Sequence, residues 1–106
     1  MSDRYLHLVT AGEWEASVAA GVHEPPSLAT QGFIHLSTPA QVAATVARHY
    51  PDVADLLVVE VDPERLRAEV VFEEGEPGEW FPHLFGPLEL DAVVDVRPWS
   101  EPASTG

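Results

Sequence analysis

The sequence contains no cysteine. That excludes a disulfide framework, a thiolate nucleophile and a cysteine-based zinc site, and it makes the cytosol (a cytoplasmic location) the expected one. Lysine is absent too: the five basic residues are Arg4, Arg48, Arg65, Arg67 and Arg97, against 18 acidic ones, for a net charge of −13. Nucleic-acid backbones are held by a stripe of cations that releases counterions, and scattered arginines in so negative a field form none, so no nucleic-acid partner is expected. A smaller anion stays open, because one arginine fork with backbone N–H groups can hold a phosphate or carboxylate. No stretch approaches the roughly 20 apolar residues of a membrane span, and Met1-Ser2-Asp3-Arg4 leads into a strand-like run rather than a signal-peptide core; no membrane association is expected. The seven glycines form neither a G-x-G-x-x-G nor a Walker phosphate loop.

What is present suits one small domain. With 106 residues, 45% of them hydrophobic, the chain has material for a single core, expected over residues 1–99, with 100–106 as an unstructured tail of small and polar residues. Arg4 to Val9 alternates as a strand, with Tyr5, His7 and Val9 on one face and Leu6 and Leu8 on the other. Thr10-Ala11-Gly12-Glu13 has the form of a capping box, and the apolar pair Trp14 and Val18 precedes Gly21, so a helix is expected over about 11 to 20. Glu24-Pro25-Pro26-Ser27 reads as a break, and Gly32 to Ser37 as a short strand with Phe33, His35 and Ser37 on one face. Thr38-Pro39-Ala40-Gln41 opens a second helix whose stripe is Val42, Val46 and Tyr50. Leu56 to Val61, Ala68 to Glu73 and Ala92 to Arg97 are further strands, with a helical turn at Asp62 to Leu66 and an acidic solvated loop from Glu73 to Glu79. Helices early and strands late favour an α+β fold, two main helices on one side of a sheet, over a doubly wound one.

Three segments place histidine among apolar or turn-forming neighbours: Tyr5-Leu6-His7-Leu8, Gly32-Phe33-Ile34-His35-Leu36-Ser37, and Phe81 to Leu88 around His83. A histidine is costly to bury without partners, so three in such runs suggest a shared polar cavity, although each could also be a satisfied core histidine. His23, in a proline-bounded loop, and His49, at a helix C-terminus, read as structural or solvated. The wide spacing of His7, His35 and His83 lacks a local zinc signature, and no metal is assigned. Ser27 and Ser37 lie in no nucleophile elbow. Trp80, Phe81 and Phe85 either belong to the core or form a dimer patch, which leaves a monomer or a homodimer.

As an ordered set, Tyr5-x-His7, Trp14, Ser27-Leu28, Gly32-Phe33-Ile34-His35-x-Ser37, Gln41, Tyr50, Leu56 to Asp62, Leu66, Glu73, and Phe81-Pro82-His83-Leu84-Phe85-Gly86-Pro87-Leu88 before Ala92-Val93 resemble the bacterial family called "domain of unknown function 952". The resemblance spans about residues 4 to 97. That family has no established activity; its occasional label as glutathione-transferase-like finds no thioredoxin-type sequence here. Its fold resembles the ADP-ribosyltransferase superfamily, which implies a split mixed or antiparallel sheet around a crevice that binds NAD. On that footing His7 corresponds to the residue that holds the ribose hydroxyls, His35 or Ser37 takes the second-strand position, and aromatic residues pack beside the nicotinamide. Classical transferases carry a glutamate where this chain has His83, and a neutral imidazole supplies no negative charge opposite a developing cation. Glu73 is a candidate substitute carboxylate. RNA 2′-phosphate transfer would need arginine-rich phosphate handling.

The expected function is therefore nucleotide-type binding, with NAD as substrate rather than resident cofactor, and N-glycosidic transfer or cleavage at His7, His35 and His83. Tyr5, Phe33, Ser37, Phe81, Phe85 and Gly86 are the expected ligand contacts. The alternatives are a non-catalytic module for a small-molecule metabolite and a histidine-zinc hydrolase.

Overall fold

A computed structural model describes residues 4–100. Its strands are β1 (Tyr5–Thr10), β2 (Val22–His23), β3 (Ile34–His35), β4 (Leu56–Val61), β5 (Val70–Glu76), β6 (Glu79–Leu84), β7 (Leu88–Glu89) and β8 (Val93–Pro98). The α-helices are α1 (Ala11–Ala20), α2 (Pro26–Gln31) and α3 (Val42–His49). Every strand pairing is antiparallel, in three sheets ordered β1-β4-β8, β3-β6-β5 and β2-β7. The two larger sheets meet where Leu6 and Ser37 exchange a pair of backbone hydrogen bonds of 2.8 Å each. The chain is thus an α+β domain, and none of its described helices is long and apolar enough to cross a membrane.

Local signals explain much of this. Thr10 Oγ1 accepts from the Glu13 amide at 3.3 Å while Glu13 Oε1 accepts from the Thr10 amide at 3.2 Å, and Gly21 ends α1 in the left-handed region at φ 85°. The inward face of α1 differs from the expected one: Trp14 and Ser17 are buried, whereas Val18 is 54% exposed. α2 lies where a break was expected. Pro26 is its first residue, a place where the missing N–H costs nothing because a first-turn amide has no helical partner anyway. Thr38 to Gln41 form a turn before α3 rather than its first turn, the Gln41 amide donating to the Thr38 carbonyl at 2.9 Å.

The acidic segment from Glu73 to Glu79 is not a loop. β5 runs on to Glu76, turns at Pro77 and Gly78, and returns as β6, with the Gly78 amide held by Glu74 Oε2 at 2.8 Å. Its carboxylates project from a half-exposed edge hairpin, which composition alone reads as loop.

β4 is apolar at nearly every position because both faces of its sheet are covered. Leu6, Leu8, Leu56 and Val58 pack against Val42 and Val46 of α3, while Val9, Val59 and Val61 join Trp14 of α1 with Ile34, Leu36, Leu84 and Leu88. The expected single helical side therefore does not hold. Ile34, Val59, Val61, Leu84 and Leu88 have no solvent exposure; each such side chain contributes about 1.5–3 kcal/mol through burial. Trp80 is 55% exposed and lies outside this core. The tail residues 101–106 lie outside the described part of the chain.

Candidate functional site

Between β1 and the β5–β6 hairpin lies a cleft of about 680 Å³. β1 contributes His7, β3 and the residues around it contribute Phe33, His35 and Ser37, and β6 contributes Phe81 and His83. Thr45, Arg48 and His49 of α3, Tyr50, Ser27 and the carboxylates Glu13, Glu74 and Glu76 supply its other polar groups. Pairing explains the convergence: His35 faces His83 across β3 and β6, and Val71 and Glu73 of β5 lie opposite His83 and Phe81 on the same face of the hairpin. Gly75 makes room at that face. A Cβ there would sit 2.7 Å from Phe81 Cδ1, so only glycine lets the Phe81 ring lie across the strand.

Each histidine is held differently. His83, 7% exposed, stacks on Phe33 with ring centroids 4.0 Å apart and planes 12° apart. Its Nδ1 lies 2.8 Å from Glu73 Oε1, which fixes Nδ1–H as the donor to that carboxylate. Nε2 of His83 makes no hydrogen bond among the described residues, and it is not a sealed, unpartnered atom. His35 is exposed, edge-on to both Phe33 and His83, and its Nε2–H donates to Gln31 Oε1 at 2.6 Å. Partial desolvation of its ring against the cleft wall, with His83 and then His49 nearby, lowers its pKa.

His7 differs because neither ring nitrogen is free. Nδ1 lies 2.9 Å from the His35 carbonyl, which can only accept, so Nδ1 carries the hydrogen. A neutral ring then offers a lone pair at Nε2, which lies 2.8 Å from His23 Nε2; His23 must donate there and accept at Nδ1 from Ser17 Oγ, 2.6 Å away. Burial first and His23 second push the His7 pKa down to about 4, and burial lowers that of His23. The chain Ser17–His23–His7 is thus uncharged at neutral pH and braces β1 against α1 and β2.

The structure brings His7, His35, His83, Phe33, Ser37 and Phe81 to one cleft and leaves three expected ligand contacts outside it. Tyr5 packs edge-on against Phe72, at a centroid distance of 5.9 Å, beside the core. Phe85 lies behind Phe33 at 5.3 Å, and Gly86 is needed for packing, since a Cβ there would lie 2.5 Å from that of Ala68. Glu73 is engaged by His83 rather than projecting free into the crevice. His23, read as structural or solvated, is 2% exposed and bonded directly to His7. The signal for it is local: the left-handed turn at Gly21 folds the chain back so that residue 23 returns over Ser17 on the inner face of α1. Among the described residues, no three His, Asp or Glu side chains converge as metal ligands.

Comparison with known proteins places this arrangement. The family described as "Protein of unknown function (DUF952)" matches residues 8–96. The chain belongs to that family. Among solved structures the chain is similar to the crystal structure of protein CC0527 of Caulobacter crescentus, at 30% identity over 94% of this chain and 89% of that one, with a TM-score of 0.84. The solution structure of the same protein, also at 30% identity, covers 94% and 87% with a TM-score of 0.80. No curated protein matches. The likeness to CC0527 runs across the strands and helices that build the cleft.

Proposed function

We propose that the cleft binds a small molecule of nucleotide type, with NAD the first candidate, and catalyses cleavage or transfer at its N-glycosidic bond. The observation that carries this reading is the stacked Phe33–His83 pair on the cleft wall, a preformed platform for a flat ring, with His35 edge-on beside it. Its volume of about 680 Å³ suits a ligand of that size. Hydroxyls of Ser27, Ser37, Thr45 and Tyr50 offer partners for ribose. Arg48 is the cleft's one arginine, and it lies 3.8 Å from Glu76, so a ligand phosphate competes with that carboxylate. The three carboxylates favour the cationic nicotinamide ring over a purely anionic ligand.

Two sheets meeting at a narrow bridge, with a crevice beside it, are compatible with the split-sheet architecture of ADP-ribosyltransferases, and this supports NAD as the first ligand to test. The chemistry asked of the protein is positioning: packing holds the leaving ring, hydrogen bonds fix the ribose, and a histidine activates water or an acceptor hydroxyl. His7 cannot take the ribose-holding role through a ring nitrogen unless it gives up His23 or the His35 carbonyl. That bonded state favours, as a second reading, a binding module without turnover.

Calorimetric titration with NAD, with chromatography of the incubated mixture, tests both. Saturable heat that Phe33→Ala abolishes, with nicotinamide released, is the expected result. Heat without release selects the binding module, and no heat at millimolar NAD overturns the nucleotide reading.

A further inference from the structure

All five histidines lie in or against the cleft, and their bonding separates them. His49 is exposed at the end of α3, its Nε2 4.0 Å from Glu76 Oε2 and held by no hydrogen bond among the described residues. His7 and His23 have spent both ring nitrogens on partners. His35 is oriented by a neutral amide oxygen, Gln31 Oε1, which cannot neutralise an imidazolium. Among the described residues His83 alone has one nitrogen hydrogen-bonded to a carboxylate and the other free of protein partners. Its ring plane is set independently by the stack on Phe33.

We propose that His83 is the general base of this cleft and that Glu73 is its positioning residue. The reaction step rests on the reading of the cleft as an N-glycosidic site; the dyad itself does not. Glu73 accepts from Nδ1–H and so holds the ring in the tautomer whose Nε2 lone pair faces the ligand. A charge-assisted hydrogen bond of this kind also favours the imidazolium that forms when Nε2 takes a proton. In the step, a water or acceptor hydroxyl gives its proton to Nε2 as its oxygen bonds to the anomeric carbon. The carbon–nitrogen bond breaks, its electron pair leaves with the ring nitrogen, and a cationic nicotinamide departs neutral without needing a proton. Imidazolium then returns its proton to solvent. The substrate class is thus a glycoside with a cationic or otherwise good nitrogen leaving group.

This assignment explains a departure from the transferase pattern. A carboxylate is kept near the crevice, but it acts through an imidazole. Glu73 sits on the edge strand β5 with its side chain 44% exposed, so replacing it leaves the core intact.

The test needs no substrate. Nitrogen-15 NMR of the ring reports the tautomer, and diethyl pyrocarbonate, which acylates an accessible neutral ring nitrogen, reports the lone pair, with peptide mass mapping to assign it. In the wild-type protein His83 is expected as the Nδ1–H tautomer and is modified at Nε2, while His7 and His23 stay unmodified until the protein unfolds. Glu73→Ala is expected to shift the tautomer toward Nε2–H and slow modification of His83 at least fivefold at pH 7.5, with Glu73→Asp intermediate and all three proteins melting alike. An Nε2–H tautomer in the wild type, or a tautomer and rate unchanged by Glu73→Ala, overturns the dyad. If the dyad holds and NAD is not bound, the base stands and the substrate class is wrong; if NAD is cleaved at an unchanged rate by His83→Ala, the site stands and the base is wrong.

Discussion

Acidification should unlock the Ser17–His23–His7 chain, and its cost can be worked from the structure. The His7 pKa is about 4 in the folded protein and 6.5 when the ring is free, because burial and the neighbouring His23 oppose its charge. Its depressed folded pKa means that the unfolded chain binds the extra proton first. The stabilisation is therefore fully present above pH 6.5 and is lost as pH falls from 6.5 toward 4. Between pH 7.5 and 4.5 this amounts to about 2.5 kcal/mol, at about 1.4 kcal/mol for each pH unit over which the two states differ by one proton. Carboxylate protonation and relief of the net negative charge act over the same range, so the wild type alone does not isolate the effect. His7→Gln removes the titrating ring and leaves the rest. Urea unfolding of both proteins at the two pH values should show the variant less stable at pH 7.5, and the gap between them should shrink by about 2.5 kcal/mol at pH 4.5. Parallel pH dependences, within about 0.5 kcal/mol, would refute the neutral buried network.

Further outcomes follow from individual contacts. Ser17→Ala leaves the buried Nδ1 of His23 without a partner and should cost about 1–3 kcal/mol in urea unfolding, although the hydroxyl is small and on a helix. Ile34→Ala opens a void at a residue with no solvent exposure and should cost about 2–5 kcal/mol, read by the same assay. Gly75→Ala should displace the Phe81 ring, seen as shifts of its ring protons, and should weaken ligand binding more than it weakens the fold, because the clash falls on a side chain at the cleft.

Features decided within a few residues were readable from the sequence, and features decided across the chain were not. α1 and its boundaries follow from Thr10, Glu13 and Gly21, which act locally. β4 follows from an apolar run that both faces of its sheet require. α2 was hidden because two prolines signal a break, although a proline at a first helical position also starts a helix. The β5–β6 hairpin was hidden because glutamates on an exposed edge have the composition of a loop. At the site, the convergence of His7, His35 and His83 was legible from their apolar and turn-rich surroundings. The difference among their roles was not, since it depends on partners 10 to 28 residues away: Glu73 for His83, His23 and the His35 carbonyl for His7. Tyr5, Phe85 and Gly86 share segments with cleft residues, and Tyr5 shares a strand face with His7, but their places are set by long-range packing against Phe72, Phe33 and Ala68, which the sequence order does not reveal.

The claim that joins these points is that a ring-bearing nucleotide sits on the Phe33–His83 platform. Titrating the nitrogen-15-labelled protein with NAD and following its amide and histidine ring resonances addresses it most directly. The account predicts saturable shifts concentrated on Phe33, His35, Ser37, Phe81 and His83, with Tyr5 and Gly86 little changed. Shifts confined to other surfaces, or none at millimolar NAD, would contradict it.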